Sequence, residues 1–167
     1  MYFSEAGTEQ GMAREIERKF LVENNSWKIG RQGLSCRQGY LVTEEEITVR
    51  VRILGEEAFL TVKGKTEGMA RDEFEYRIPL KDAEAMLRGM SRCGIVEKIR
   101  YHIEVEGFIW DVDEFLGENS GLVLAEVELE DESQVPIFPD WLGQEVTGDV
   151  RYYNAFLAGK PFSRWKK

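Results

Sequence analysis

Glu15-Ile16-Glu17-Arg18-Lys19-Phe20 alternates strictly on one phase, with carboxylates and a cation at 15, 17 and 19 and apolar side chains at 16 and 20. Alternation of period two is the mark of a β-strand with two unlike faces. The pattern recurs along the chain. Charged residues share a face at Arg50 and Arg52, Lys63 and Lys65, and Glu73, Glu75 and Arg77. They do so again at Lys98, Arg100, His102 and Glu104, at Asp111 and Asp113, and at Glu126, Glu128 and Glu130. The positions between are largely apolar, as in Val49, Val51, Val62, Phe74, Ile99, Val112 and Val127. With 32% charged residues, an i, i+2 pair is doubly charged by chance about one time in ten, so seven such strands require a cause.

The alternation predicts strands over Arg14–Val22, Ser35–Thr43, Ile47–Leu54, Ala58–Lys65, Arg71–Pro79, Glu97–Val105, Phe108–Phe115 and Leu122–Leu129. Gly55-Glu56-Glu57, Glu67-Gly68 and Gly107 supply turns between them. Three helical segments are expected. A short turn surrounds Trp27-Lys28. A helix capped by Asp82 puts Ala83, Met86, Leu87 and Met90 on one face. A third helix starts at Asp149, runs through Leu157 and stops at Gly159. Residues 1–13 show no periodicity and read as a loose arm, leaving 14–167 as a single domain of ordinary size.

Two geometries place so many charges on strand faces. An open sheet would pack its apolar face on helices and show its charged face to water. A closed sheet would turn the charges inward, with the apolar faces covered outside by helices and loops, and eight strands suffice to enclose one small ligand. Segregation of sign favours closure, because some strands carry purely basic pairs and others purely acidic ones, whereas solvated faces intermix them. Paired cations suit phosphate oxygens, and paired carboxylates suit hard divalent cations.

The net charge of −9 argues against a general nucleic-acid partner, which would require a basic surface. Cys36 and Cys93 match no metal spacing and fit free thiols in a reducing cytoplasm. No apolar run is long enough to span a membrane. The sequence is silent on oligomeric state, and a homodimer is left open.

Glu15-Ile16-Glu17-Arg18-Lys19 resembles the E-x-E-x-K signature of the CYTH superfamily, the triphosphate tunnel metalloenzymes. The similarity continues through Arg37-Gln38-Gly39-Tyr40-Leu41, Val49-Arg50-Val51-Arg52, Leu60-Thr61-Val62-Lys63 and Arg71-Asp72-Glu73-Phe74-Glu75. It ends with Val96-Glu97-Lys98-Ile99-Arg100-Tyr101, Glu126-Val127-Glu128 and Glu145 to Tyr152. It spans roughly Arg14 to Ala158 and looks closest to the short bacterial inorganic triphosphatases. The resemblance implies an α+β fold, a closed eight-stranded antiparallel β-barrel with a charged lumen, flanked by helices. The implied activity is metal-dependent hydrolysis of inorganic tripolyphosphate, with nucleotide or thiamine triphosphate, or non-catalytic binding of polyphosphate, as alternatives.

The resemblance also implies roles. Glu15, Glu17, Glu126 and Glu128 would hold Mg²⁺ or Mn²⁺, and Lys19, Arg50, Arg52, Lys63, Arg100 and Arg151 would clamp the triphosphate. Lys98 and Tyr40 match a lysine–tyrosine pair that acts on the attacking water. Glu73, Glu75 and Asp113 are supporting candidates, Asp113 for a second metal or for an arginine. Like charges at Arg100, Arg52 and Lys63 would lower the pKa of Lys98 and suit it to accept a proton. Trp27 reads as a buried side chain, and the segment around it as the place where substrate choice is least legible.

Overall fold

The structure, a computed structural model, describes residues 14–165; the arm expected over 1–13 lies outside the described residues. Among the described residues nine strands form, β1 (Arg14–Val22), β2 (Leu34–Thr43), β3 (Ile47–Leu54), β4 (Glu57–Gly64), β5 (Ala70–Ile78), β6 (Val96–Val105), β7 (Phe108–Phe115), β8 (Val123–Glu128) and β9 (Leu142–Glu145). The first eight close into an antiparallel ring in the order β1-β5-β4-β3-β2-β6-β7-β8, returning to β1. Hairpin turns set much of the register. At the β6–β7 turn, Glu106 and Gly107 both take positive φ (48° and 83°), the twist that a two-residue hairpin demands.

Closure is narrow. One edge of β1 pairs with β8 from Glu17 to Leu21. Its other edge pairs with β5 only through Arg14↔Asp72, Glu15↔Arg71 and Ile16↔Ala70, and then β9 takes over at Phe20 and Val22. The ninth strand therefore fills the wedge where β1 and β5 part. Nothing in its four residues alternates, so sequence periodicity does not reveal it.

Three apolar clusters hold the barrel. Outside β1, β6, β7 and β8, Phe20, Trp110, Val112 and Val127 pack beneath Trp27 and Trp141, which arrive on loops. Outside β3 and β4, Val51, Ile53 and Ala58 meet Ala83 and Leu87 of α1 (Leu80–Met90). Gly39 permits this approach, since a Cβ there would stand 2.4 Å from Ser91 Oγ and 2.9 Å from Leu87 Cδ2. The third cluster lies inside the barrel: Tyr40, Val96, Phe115 and Leu124 close one end of the lumen against Leu157 and Ala158 of α2 (Asn154–Gly159).

The helices differ from expectation in instructive ways. The helix α1 begins at Leu80 with Pro79 at its N-cap, and Asp82 sits in the first turn, where the helix dipole favours a carboxylate. Met90 is 61% exposed rather than buried. The expected helix from Asp149 is instead a 3₁₀ turn over Val150–Tyr152 followed by the six residues of α2. Asp149 caps the turn by accepting a hydrogen bond from the Arg151 backbone N–H, and Tyr153, in extended backbone at φ −72° and ψ 136°, separates the turn from α2. So α2 does not cover an outer wall; it plugs the lumen.

Candidate active site

Glu17, Arg52, Lys63, Glu75, Lys98 and Glu128 all line one cavity of about 1000 Å³, the interior of the ring. The alternation of β1 puts Glu15, Glu17 and Lys19 inward because Ile16 and Phe20 belong to the outer core. The same phase turns Arg50 and Arg52 inward from β3, Lys98 and Arg100 from β6, and Glu126 and Glu128 from β8. His102 and Asp111 stand at the open mouth, with Nδ1 and Oδ1 2.6 Å apart.

Arg50 and Arg52 share a single carboxylate. Glu75 accepts from them at 3.3 and 3.2 Å and, more tightly, from Thr61 Oγ1 at 2.7 Å. Burial pushes the Glu75 pKa up, but Arg52, Thr61 and Arg50 together outweigh it and hold the carboxyl below its ordinary range. Both arginine Nε atoms are buried without a partner among the described residues. A buried guanidinium N–H without an acceptor costs free energy until an anion reaches it.

Lys98 and Arg100 are held the opposite way. Asp113 is fully buried and accepts from Lys98 Nζ at 2.7 Å and from Arg100 Nε and Nη2 at 2.8 and 2.7 Å. Asn154, the first residue of α2, accepts a further bond from Lys98 Nζ at 3.0 Å. Burial drives the Lys98 pKa down, Asp113 pulls it back up, and Arg100 lowers it again, leaving it below the ordinary lysine value. The expected direction thus holds, but desolvation is its first cause, ahead of the like charges.

The four carboxylates expected at the metal divide into two kinds. Glu15 accepts from Lys63 Nζ at 3.0 Å and from Arg71 Nε at 3.0 Å. Burial opposes ionisation, but these cations and a hydrogen bond with Glu73 bring its pKa down to about 2. Glu126 bonds Lys19 Nζ at 2.9 Å and lies 3.7 Å from Arg100, and it is likewise depressed. Glu17 and Glu128 face each other across β1 and β8, and neither has an ion-pair partner among the described residues. Burial and the neighbouring Glu126 and Glu15 push Glu17 up to about 7. Burial and Glu15 also raise Glu128. Among the described residues no three acidic, histidine or cysteine side chains enclose a cation by themselves. The donors are nonetheless all oxygen, and a small hard cation takes few carboxylates and completes its shell with water and phosphate oxygens.

Glu73 bonds Lys63 at 2.8 Å and lines the lumen, while Lys65 leaves it to pair with Glu46 at the strand end. Asp113 lies behind Lys98 and Arg100, in the position of an arginine holder. Trp27 is 2% exposed, with Tyr101 edge-on at 5.0 Å. Arg151, expected in the clamp, does not stand on the lumen wall of this structure. Its guanidinium pairs with Asp149 at 2.6 Å and lies over Tyr152 and Trp165, because the 3₁₀ turn points it outward. Sequence reasoning misses Arg71, Gln38 and Asn154. Arg71 shares the inward phase of Glu73 and Glu75, and Gln38 that of Tyr40, so the alternation contains them. Asn154 carries no signal, since its position depends on where α2 starts.

A CYTH domain matches residues 13–153. The chain is 46% identical over 156 residues to an inorganic triphosphatase of Acetivibrio thermocellus, covering 93% of this chain and 100% of the relative. It is 42% identical over 149 residues to an inorganic triphosphatase of Nitrosomonas europaea, covering 86% of this chain and 96% of that one. A solved structure of an inorganic triphosphatase superposes with a TM-score of 0.61 at 37% identity, covering 89% of this chain and 97% of the other. Motif, closed barrel and relatives agree, and the chain belongs to the CYTH domain family.

Proposed function

We propose that this chain hydrolyses a linear triphosphate, inorganic tripolyphosphate foremost, to pyrophosphate and orthophosphate with a divalent cation. The observation that carries the reading is the pair of buried, unpartnered Nε atoms of Arg50 and Arg52 inside a closed lumen. Lumen cations are matched by about as many carboxylates, so a highly charged anion requires an accompanying cation for balance. Glu17 and Glu128 fit that cation, with Glu15 and Glu126 beside them. The metal, Mg²⁺ or Mn²⁺, supplies neutralisation of charge on the phosphate oxygens.

The protein's own groups divide the remaining work. Arg50, Arg52, Lys19, Lys63 and Arg100 hold the phosphate chain in line, which is most of what phosphoryl transfer requires. Lys98, when neutral, accepts a proton from the water that attacks the terminal phosphorus. The bridging P–O bond breaks and pyrophosphate leaves. Tyr40 stands at the closed end of the same lumen, near Arg50 and Lys19, where a terminal phosphoryl group would rest. Charge runs along the lumen as far as Asp111, which suits a bare polyphosphate; a nucleotide or thiamine group would have to lie at the mouth near Phe108 and Ile109.

Residues 14–167 act as one domain in this reading, on a small molecule in the cytoplasm, where Cys36 and Cys93 remain free thiols. No described helix is long and apolar enough to cross a membrane. Phosphate release from tripolyphosphate, ATP, thiamine triphosphate and pyrophosphate, with Mg²⁺ or Mn²⁺, tests the proposal. Tripolyphosphate should be turned over fastest and EDTA should abolish the rate. Equal rates without added metal would overturn it.

A further inference from the structure

Gln38 is fully buried, yet it faces the lumen side of β2 between Arg52 on β3 and Val96 on β6. An apolar side chain of similar size would fill that space without the desolvation penalty of an amide. What the amide does is visible in its partners. Its Nε2 donates to Tyr40 Oη at 2.9 Å, and its Oε1 accepts a weak contact from Cys36 Sγ at 3.8 Å. Cys36, Gln38 and Tyr40 thus form a chain of donors that runs one way along the inner face of β2.

A phenol has one hydrogen to give. With a Gln38 N–H already on the Tyr40 oxygen, that hydrogen cannot return to Gln38. No described residue accepts it, and the Tyr40 side chain borders the cavity opposite Arg50. We infer that Gln38 is a positioning residue that fixes Tyr40 as a hydrogen-bond donor into the lumen, aimed at an oxygen of the terminal phosphoryl group. This rests on the triphosphatase reading above. It also separates the two candidates there: Lys98 takes the proton from water, and Tyr40 meets the charge that develops on the phosphoryl oxygen.

Gln38→Glu tests the direction of the bond. An ionised glutamate, the form that Arg52 across the ladder favours, is nearly isosteric but accepts only, so it draws the Tyr40 hydrogen back from the lumen. Turnover of tripolyphosphate should fall about tenfold, the value of one lost hydrogen bond near 1.4 kcal/mol, with KM little changed. Tyr40→Phe should lose about as much, and the double variant no more than either alone. Gln38→Met, which leaves the phenol free to reorient, should lose only a few-fold. Parental turnover in Gln38→Glu, or losses that multiply in the double variant, would overturn the inference.

A second measurement needs no turnover. The tyrosine doublet in the Raman difference spectrum, each protein minus its Tyr40→Phe counterpart, reports whether that phenol accepts or donates. In the parent Tyr40 should accept from Gln38 while donating into the lumen, and in Gln38→Glu it should donate to the carboxylate without accepting from residue 38, in proteins whose circular dichroism and melting are alike. An unchanged doublet sinks the inference even if the enzyme is active. A changed doublet in a chain that releases no phosphate keeps the geometry and removes the triphosphatase reading instead.

Discussion

Two pairs of cations flank β2, and they are stabilised in opposite ways. Arg50 and Arg52 lean on one half-exposed carboxylate at 3.2–3.3 Å and keep buried N–H groups unspent. Lys98 and Arg100 converge on Asp113, a buried carboxylate within 2.8 Å of both. The first pair is under-neutralised and waits for an anion. The second is balanced before any ligand arrives, which keeps a lysine buried at a lowered pKa without unfolding the barrel. In the proposed reading, proton transfer then falls on the Lys98 side of β2, and the cations with unspent N–H groups lie on the other.

The largest effect should come from Asp113→Ala. It strands two buried cations, and breaking a buried pair from one side costs roughly 3–5 kcal/mol. Thermal melting should fall by about 6–20 °C for a chain of this size. Glu75→Ala, on the other side of β2, should cost no more than about 1 kcal/mol because that carboxylate is partly solvated. Equal losses would erase the contrast.

Lys98→Arg comes next. It preserves charge and the Asp113 contact but cannot deprotonate. Turnover should drop at least about 10²-fold with KM within a few-fold of the parent. The parental rate should climb from neutral into alkaline pH, because the neutral form of Lys98 gains population toward its lowered pKa. A parental pH–rate profile in Lys98→Arg would leave Lys98 as one more clamp residue. Arg52→Leu should do the converse. KM should rise about 10- to 100-fold, the loss of a charge-assisted hydrogen bond or two, while melting barely moves.

The barrel is legible because alternation survives wherever a strand has one apolar and one charged face. The strands at Arg14–Val22, Ile47–Leu54 and Phe108–Phe115 have the bounds that the pattern implies. The four residues of β9 carry no such pattern; they are a strand because β1 and β5 diverge there. Arg151 lies away from its expected place for a local reason: its guanidinium pairs with Asp149 two residues back, and the extended backbone of Tyr153 divides the expected helix into a turn and α2. Which carboxylates are already neutralised is also hidden. Glu15 and Glu17 sit two residues apart on one strand, and only the cations brought by β4 and β5 make them different.

The pH dependence of stability sharpens that last distinction. Without metal, Glu17 titrates at about 7 when folded against an ordinary 4.5, so the native state binds its proton more tightly than the unfolded chain does. That contribution is fully present below pH 4.5 and is lost as pH rises through 7. Glu128, raised for similar reasons, works in the same direction. Glu15, depressed to about 2, exchanges its contribution below pH 4.5 and is constant over this window. The metal-free protein should therefore lose stability between about pH 5 and 8, by at most roughly 3 kcal/mol, since each tenfold difference in proton affinity is worth about 1.4 kcal/mol. Glu17→Gln, which has no proton to release, should flatten that slope and melt above the parent at pH 8. Added Mg²⁺ should raise the melting temperature of the parent at pH 8, by binding only the folded state, and do little for the variant. A parent that grows more stable from pH 5 to 8 without metal, or a variant with the parental slope, would mean that Glu17 is as well neutralised as Glu15, and the cation site would have to be sought elsewhere in the lumen.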